Sequence, residues 1–410
     1  MVDLKRIMKR IDSYEDEMVR MQIELSAIPA LAPENGGDGE YDKALFLKKK
    51  LVEFGFVNIE SVDAPDGRVS SGVRPNIIAK LQGASDAGAV WIFTHMDVVP
   101  PGEISLWDKD PFQGYRKEGK VYGLGTEDNQ QDLVSSLFAA KAYIDEGLPP
   151  GRSINLAFLA DEEVGSQFGM EYLVENRGGL FSKSDLLVAP DYGDDEGSVI
   201  EIAEKSMLWF RFKTSGRQCH ASKPQLGCNA FRAASYLVVS LNDLYKIFDR
   251  SDLIYRPDIS TFEPTKKEAN VPNVNTIPGE DIFYLDCRVL PSYHLEQVGA
   301  EIRKMADDIE KRFDVKIEIS TVQKVQAPAP TPADAPVVTV LQKAIREIYS
   351  VSPSVIGIGG GTVAAPLRKR GYPIAVWSRL GNTGHQPNEH CLISNMMGNA
   401  KVFATLFSGV

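Results

Sequence analysis

The chain has 410 residues, 43% of them hydrophobic, and a formal charge of −11. That length exceeds one ordinary core and implies two domains, and the composition is that of a globular protein. An acidic balance without a basic cluster argues against nucleic acid or an anionic membrane surface as partner. The first residues, Met1-Val-Asp-Leu-Lys-Arg6, lead into mixed charges rather than an apolar leader, and no segment reaches the roughly 18 apolar residues of a spanning helix; a cytoplasmic protein is expected. Four cysteines, Cys219, Cys228, Cys287 and Cys391, lack C-x-x-C spacing and read as small buried hydrophobes.

Residues 4 to 28 carry helical apolar spacing, and Tyr41 to Phe54 repeats it before Gly55, a helix stop. Short apolar runs follow that read as buried strands: Ala89 to Phe93, Ile154 to Leu159, Leu186 to Ala189 and, far downstream, Ile374 to Trp377. Between the first two lies a helix with Leu133, Leu137, Ala140 and Ile144 on one stripe, ending at Gly147. Strands alternating with helices predict an α/β domain with a mixed, mainly parallel sheet.

The texture changes near residue 200. Met207 to Lys213 alternates apolar and polar residues, as a half-buried antiparallel strand does. A helix over Phe231 to Phe248, a strand over Ile282 to Val289, a helix over Leu295 to Phe313 and a strand over Val315 to Ile319 complete a compact α+β block. The Pro-rich run from Gln326 to Pro336 reads as an extended return linker. The α/β pattern then resumes with a helix over Val338 to Ile348. The predicted division is a discontinuous domain of residues 1–199 and 327–410 with an inserted domain of residues 200–326.

Polar residues of interest sit just past the strand ends, where open α/β sheets bind ligands. His95 and Asp97 are two apart on a strand end and share a face, so the carboxylate can orient the imidazole while its other nitrogen binds a metal. Asp128 closes the same segment. Asp161-Glu162-Glu163 places three like charges together; an ordinary acidic loop accounts for that triplet alone, and a cation would neutralise it. Asp191 follows the next strand, and His385 lies in a Gly-rich loop after the last one. Gly359-Gly-Gly-Thr362 lacks the Gly-Lys-Ser/Thr ending of a phosphate loop, which leaves a nucleotide site remote. Two imidazoles and several carboxylates without thiolates suit zinc or a similar divalent ion, and their number exceeds what one tetrahedral ion needs. Two bridged ions, spaced about 3.5–4 Å, would use them all.

The order His95-x-Asp97, Tyr122-Gly-x-Gly-Thr-x-Asp128, Asp161-Glu-Glu-x-Gly-Ser166, Asp191, Gly216-x-x-x-His220-Ala-Ser-x-Pro224 and Gly384-His385 resembles the M20 metallopeptidase family. That family includes deacylases such as acetylornithine deacetylase and succinyl-diaminopimelate desuccinylase, glutamate carboxypeptidase, and dipeptidases. The resemblance covers nearly the whole chain. It implies a two-zinc catalytic domain, cobalt or manganese being tolerated by the same ligands, with an inserted ferredoxin-like dimerisation or lid domain and hence a homodimer. It implies His95, Asp128 and Asp191 around one metal and Asp128, Glu163 and His385 around the other, Asp97 orienting His95, and Glu162 as general base. His220 would stabilise the oxyanion, and Asn275 and Arg288 would bind substrate oxygens, although Arg288 has an alternative partner in Asp286.

The implied activity is metal-assisted hydrolysis of an amide bond in a small peptide or N-acyl amino acid. Aspartate at position 191 tilts the expectation towards peptides, since the family's deacylases usually carry glutamate there. The alternatives are an N-acyl amino acid deacylase and a non-catalytic family member that binds metal or peptide. Asn129-Gln130-Gln131 departs from the family's Met-Lys-Gly-like run. The family also often places a cis peptide after its bridging aspartate, here between Asp128 and Asn129.

Overall fold

The computed structural model describes residues 3–409. It divides into two compact units: the first runs to Ile202 and resumes over Pro330–Val355 and from Thr362 onward, and the second comprises Ala203–Ala329 with Ile356–Gly361. Among the described residues no helix is long and apolar enough to cross a membrane.

The first unit opens with helices Leu4–Asp12 and Glu15–Ser26 rather than one continuous helix. The break has a local cause. The Ser13 hydroxyl bonds back to the Arg10 carbonyl at 2.6 Å, and Glu15, Asp16 and Glu17 supply the negative first turn that a new helix N-terminus favours. Helix Tyr41–Glu53 follows, burying Leu47 and Leu51.

Then come strands β1 (Asn58–Pro65), β2 (Val73–Leu81), β3 (Ala89–His95), β4 (Ser153–Leu159), β5 (Leu186–Asp194) and β6 (Val199–Glu204). The second unit contributes β7 (Ser206–Ser215), β8 (Thr261–Lys267), β9 (Glu280–Val289) and β10 (Lys316–Val325). β11 (Ser354–Ile358) and β12 (Ile374–Arg379) complete the main sheet, whose order is β1-β2-β4-β3-β5-β12-β6-β11. Its centre, β4-β3-β5-β12, is parallel, whereas β1, β2 and β6 pair antiparallel.

Both faces of the sheet's centre are covered, which is why β3, β4, β5 and β12 are largely apolar. On one side helix Gln130–Glu146, buried along most of its length, packs against helix Ile393–Phe407. A second apolar cluster joins Trp91, Phe93 and Leu187 to Met170, Phe181 and Leu367. The parallel register brings His95 opposite Leu159 and Val376 opposite Ala189, so the ends of β3, β4, β5 and β12 meet at one edge. β5 continues past Asp191 only because residue 193 is glycine: a Cβ there would lie 1.8 Å from the Ser378 carbonyl oxygen.

In the second unit the sheet order is β8-β9-β7-β10, antiparallel throughout. Helices Ala230–Leu241 and Leu295–Phe313 intervene in the strand-helix-strand-strand-helix-strand order of a ferredoxin-like domain. β7 alternates buried and half-buried residues along its whole length, leaving one face for the helices.

Candidate metal centre

His95 ends β3, buried, with Nδ1 3.0 Å from the carbonyl oxygen of Asp97. That contact places the proton on Nδ1 in the neutral ring and turns the Nε2 lone pair to the sheet edge. Nε2 lies 3.0 Å from Asp128 Oδ1 and 3.4 Å from Asp191 Oδ1. The other oxygen of Asp128, Oδ2, stands 3.1 Å from His385 Nε2, which is also 3.1 Å from Glu163 Oε2. Two groups result, His95 with Asp128 and Asp191, and Asp128 with Glu163 and His385, each with donor atoms within 4.8 Å of one another. Asp128 belongs to both.

These spacings fit metal ligands. A tetrahedral ion with bonds of roughly 2.0–2.1 Å separates its donors by about 3.3 Å, and the pairs above fall close to that value. The electrostatics agree. Burial alone would strip the proton from His95, yet hydrogen bonds to Asp128, Asp191 and Asp97 hold its pKa well above the ordinary range. Asp128 and Glu163 raise His385 to about 11. Burial and the Asp128 charge push Glu163 up to about 7 despite His385. A cavity that holds protons this tightly on its bases has a deficit of positive charge, which bound cations would fill.

Asp97 reaches His95 more closely with its carbonyl than with its carboxylate, whose Oδ1 is 3.4 Å from Nδ1. The carboxylate is occupied elsewhere: it accepts the backbone N–H groups of Glu162 at 3.1 Å and Glu163 at 3.0 Å. Asp97 therefore fixes the turn that carries both glutamates. The Glu162 carboxylate accepts no hydrogen bond from any described residue, only its backbone carbonyl doing so, from the Gly165 N–H at 3.1 Å. Burial first, then the charge of Asp191, raises its pKa well above the usual carboxylate value.

Asp161, first of the acidic triplet, turns away from this group. It adopts a left-handed conformation (φ 65°), and its carboxylate accepts the Phe168 N–H at 3.0 Å and lies 3.2 Å from Arg74 Nη1. Arg74 is fully buried and forms a forked pair with Glu40, whose carboxylate also accepts the Asp161 N–H. Lys43, buried beside them, has its pKa lowered to about 8 by desolvation. Sequence reading missed this ionic layer. Its one signal was Arg74, an arginine near the start of a strand that is buried over Arg74 to Ala79.

The departure run is built in. The peptide between Asp128 and Asn129 is cis. Asn129 donates to the Pro190 carbonyl at 2.6 Å and to Asp191 Oδ1 at 3.1 Å, Gln130 accepts from Ser26 Oγ at 3.2 Å, and Gln131 donates to the Arg379 carbonyl at 3.0 Å. These three side chains tie the Asp128 turn to β5, to the second helix and to β12.

His220, Asn275 and Arg288 belong to the second unit. His220 pairs across a short antiparallel bridge with Thr276, and the Ala221 N–H donates to the Asn275 carbonyl at 2.8 Å, which brings these two predicted residues together. Arg288 makes a forked pair with Asp286 (2.7 and 3.0 Å), donates to the Gly359 carbonyl at 2.8 Å and lies over the Trp209 ring. Its donors are largely engaged within its own sheet.

Residues 91–408 match the sequence model of peptidase family M20/M25/M40. The chain belongs to the M20 family. It is 39% identical over 402 residues to an uncharacterized metallohydrolase of Methanocaldococcus jannaschii, covering 95% of this chain and 98% of that one. It is 26% identical over 331 residues to the succinyl-diaminopimelate desuccinylase of Paracoccus denitrificans, covering 80% and 85%. Its fold is similar to that of aminopeptidase PepT from Bacillus cereus, with a TM-score of 0.76, 20% identity and 96% and 98% coverage. M20 membership makes the chain a metallohydrolase by family and gives the metal-ligand geometry its context.

Proposed function

We propose that this M20 protein is a hydrolase that uses two divalent ions, zinc in the first instance, to cleave an amide bond in a small peptide or N-acyl amino acid. The observation that carries this reading is Glu162, a carboxylate without a hydrogen-bond donor, set on the turn beside two donor groups that share Asp128. When bound, the ions would acidify water and polarise the scissile carbonyl. The chain's own residues do the rest. Glu162, whose affinity for a proton burial raises, takes the proton from water and returns it to the leaving amine. Asp97 keeps Glu162 and Glu163 on one rigid turn through their backbone amides. A non-catalytic descendant would be expected to lose its base or a ligand, and here every such position is filled.

His220, Asn275 and Arg288 are carried forward as substrate-contacting residues on the strength of the family motif, and assembly as a homodimer through the second unit on the same ground. For Arg288 to meet a substrate carboxylate, it must share or exchange its fork with Asp286. Asp191 supports a peptide substrate. The desuccinylase relative supports the second reading, an N-acyl amino acid. The discriminating experiment is a hydrolysis screen of the metal-loaded protein against di- and tripeptides and against N-acetyl and N-succinyl amino acids. Turnover of peptides is the expected result, cleavage restricted to acylated amino acids would replace the first reading with the second, and no turnover of either class would sink both.

A further inference from the structure

Two buried carboxylates flank the candidate ligands without joining either donor group: Glu127, next to Asp128, and Glu389, four residues after His385. Each reaches across to the other's loop. Glu127 accepts the backbone N–H groups of Gly381, Thr383 and Gly384, the last at 3.1 Å, and the Thr383 hydroxyl at 2.9 Å. Glu389 accepts the N–H groups of Gly125 at 2.7 Å, Glu127 at 2.9 Å and Asp128 at 3.0 Å. Both loops spring from one strand pair, Lys120–Tyr122 against His390–Leu392, so each crosses the other just beyond a common anchor. The approach is close enough that a Cβ on residue 384 would lie 3.2 Å from the Asp128 Cβ.

Carboxylates bonded to several amides form short, strong, directional contacts, and a buried one cannot release them without leaving charge and N–H groups unpaired. Separating the loops would break both fans of bonds at once. We propose that Glu127 and Glu389 are a reciprocal pair of positioning residues, each holding the loop that carries the other's neighbouring ligand, so that Asp128 and His385 stand in place before a metal ion arrives. This rests on Asp128 and His385 being metal ligands. The pair is functionally asymmetric. Glu127 governs the His385 loop and so only the group of Asp128, Glu163 and His385. Glu389 governs the backbone of Asp128, which both groups share.

The test uses the metal-free full-length protein, titrated with cobalt(II) and followed by calorimetry and by the cobalt absorption bands. The wild type should take up two equivalents. E127Q should bind one equivalent as the wild type does and the second roughly ten- to a hundredfold more weakly, the range found when groups supporting metal ligands are altered. E389Q should weaken both. Folded variants that bind two equivalents with wild-type affinities would overturn the pair alone, whereas a wild-type protein that binds no cobalt would overturn both the pair and the function proposed above. Where a variant does not fold, hydrogen exchange on the metal-free wild type decides: the amides of residues 125, 127, 128, 381, 383 and 384 should be protected, and exchange at the rate of an open loop would refute the pair.

Discussion

Glu162 stands apart from the carboxylates around it in what it lacks. Asp97 accepts two backbone amides, Glu163 and Asp128 face His385, and Asp191 accepts from Asn129. A side chain held out of every such contact remains free to accept a proton from bound water, and its buried setting raises its affinity for that proton. Replacing it with the isosteric amide separates chemistry from architecture. E162Q should fold and bind metal as the wild type does, because Glu162 belongs to neither donor group, while kcat falls by roughly 10²- to 10⁴-fold, the usual contribution of a positioned general base. Wild-type turnover in a metal-loaded E162Q protein would assign the proton transfer to another group.

At the scale of elements, Asp161, which opens the glutamate turn, is held by the start of β2 and the N-cap residue of helix Tyr41–Glu53. Arg74 pairs with Glu40, both fully buried, and lies 3.2 Å from Asp161 and 3.7 Å from Asp66. Truncating one partner of such a cluster leaves the others as unpaired buried charge. R74M should therefore lower the stability of the metal-free protein by about 3–5 kcal/mol in urea denaturation, and the double variant E40Q/R74M should recover part of that loss, since the most intimate charge is then gone. Equal loss in the single and double variants would mean that Arg74 acts through packing alone. The same elements show where sequence reading stops. The strand ends bearing His95, Asp161 to Glu163, Asp191 and His385 were legible because apolar runs with polar termini are what a covered parallel sheet requires, and the motif order singled out the candidate ligands that the fold brings together. β1, β2, β6 and β11 were not; Asn58–Pro65, for one, mixes charges with its apolar residues, and Val73–Leu81 carries Arg-Pro directly after its first residue. Nor were Glu127 and Glu389 as braces: a buried carboxylate is explained by amides from a loop more than 250 positions away, and no local pattern records them.

For the molecule as a whole, every residue of the two donor groups comes from the first unit, and the second has a core of its own, with Leu208, Phe212, Leu237, Leu285 and Ile302 buried. Metal binding should thus act on one unit. A ligand that binds only the folded state stabilises it by about 2.7 kcal/mol at a hundredfold excess over its Kd, per site. Hydrogen exchange with and without chelator should show that stabilisation in β3, β4 and helix Gln130–Glu146, which adjoin the turns bearing the candidate ligands, and leave β7 and β9 unchanged. The effect should also depend on pH. His95 and His385 hold protons well above the ordinary histidine range, His385 to about pH 11, and a metal must displace them. Lower pH strengthens that competition, so the rise in Tm on adding zinc should be larger at pH 8 than at pH 6. A rise that is independent of pH over this range would mean that the bound ion does not take the imidazole nitrogens, and protection spreading equally into β7 and β9 would mean that the two units unfold as one.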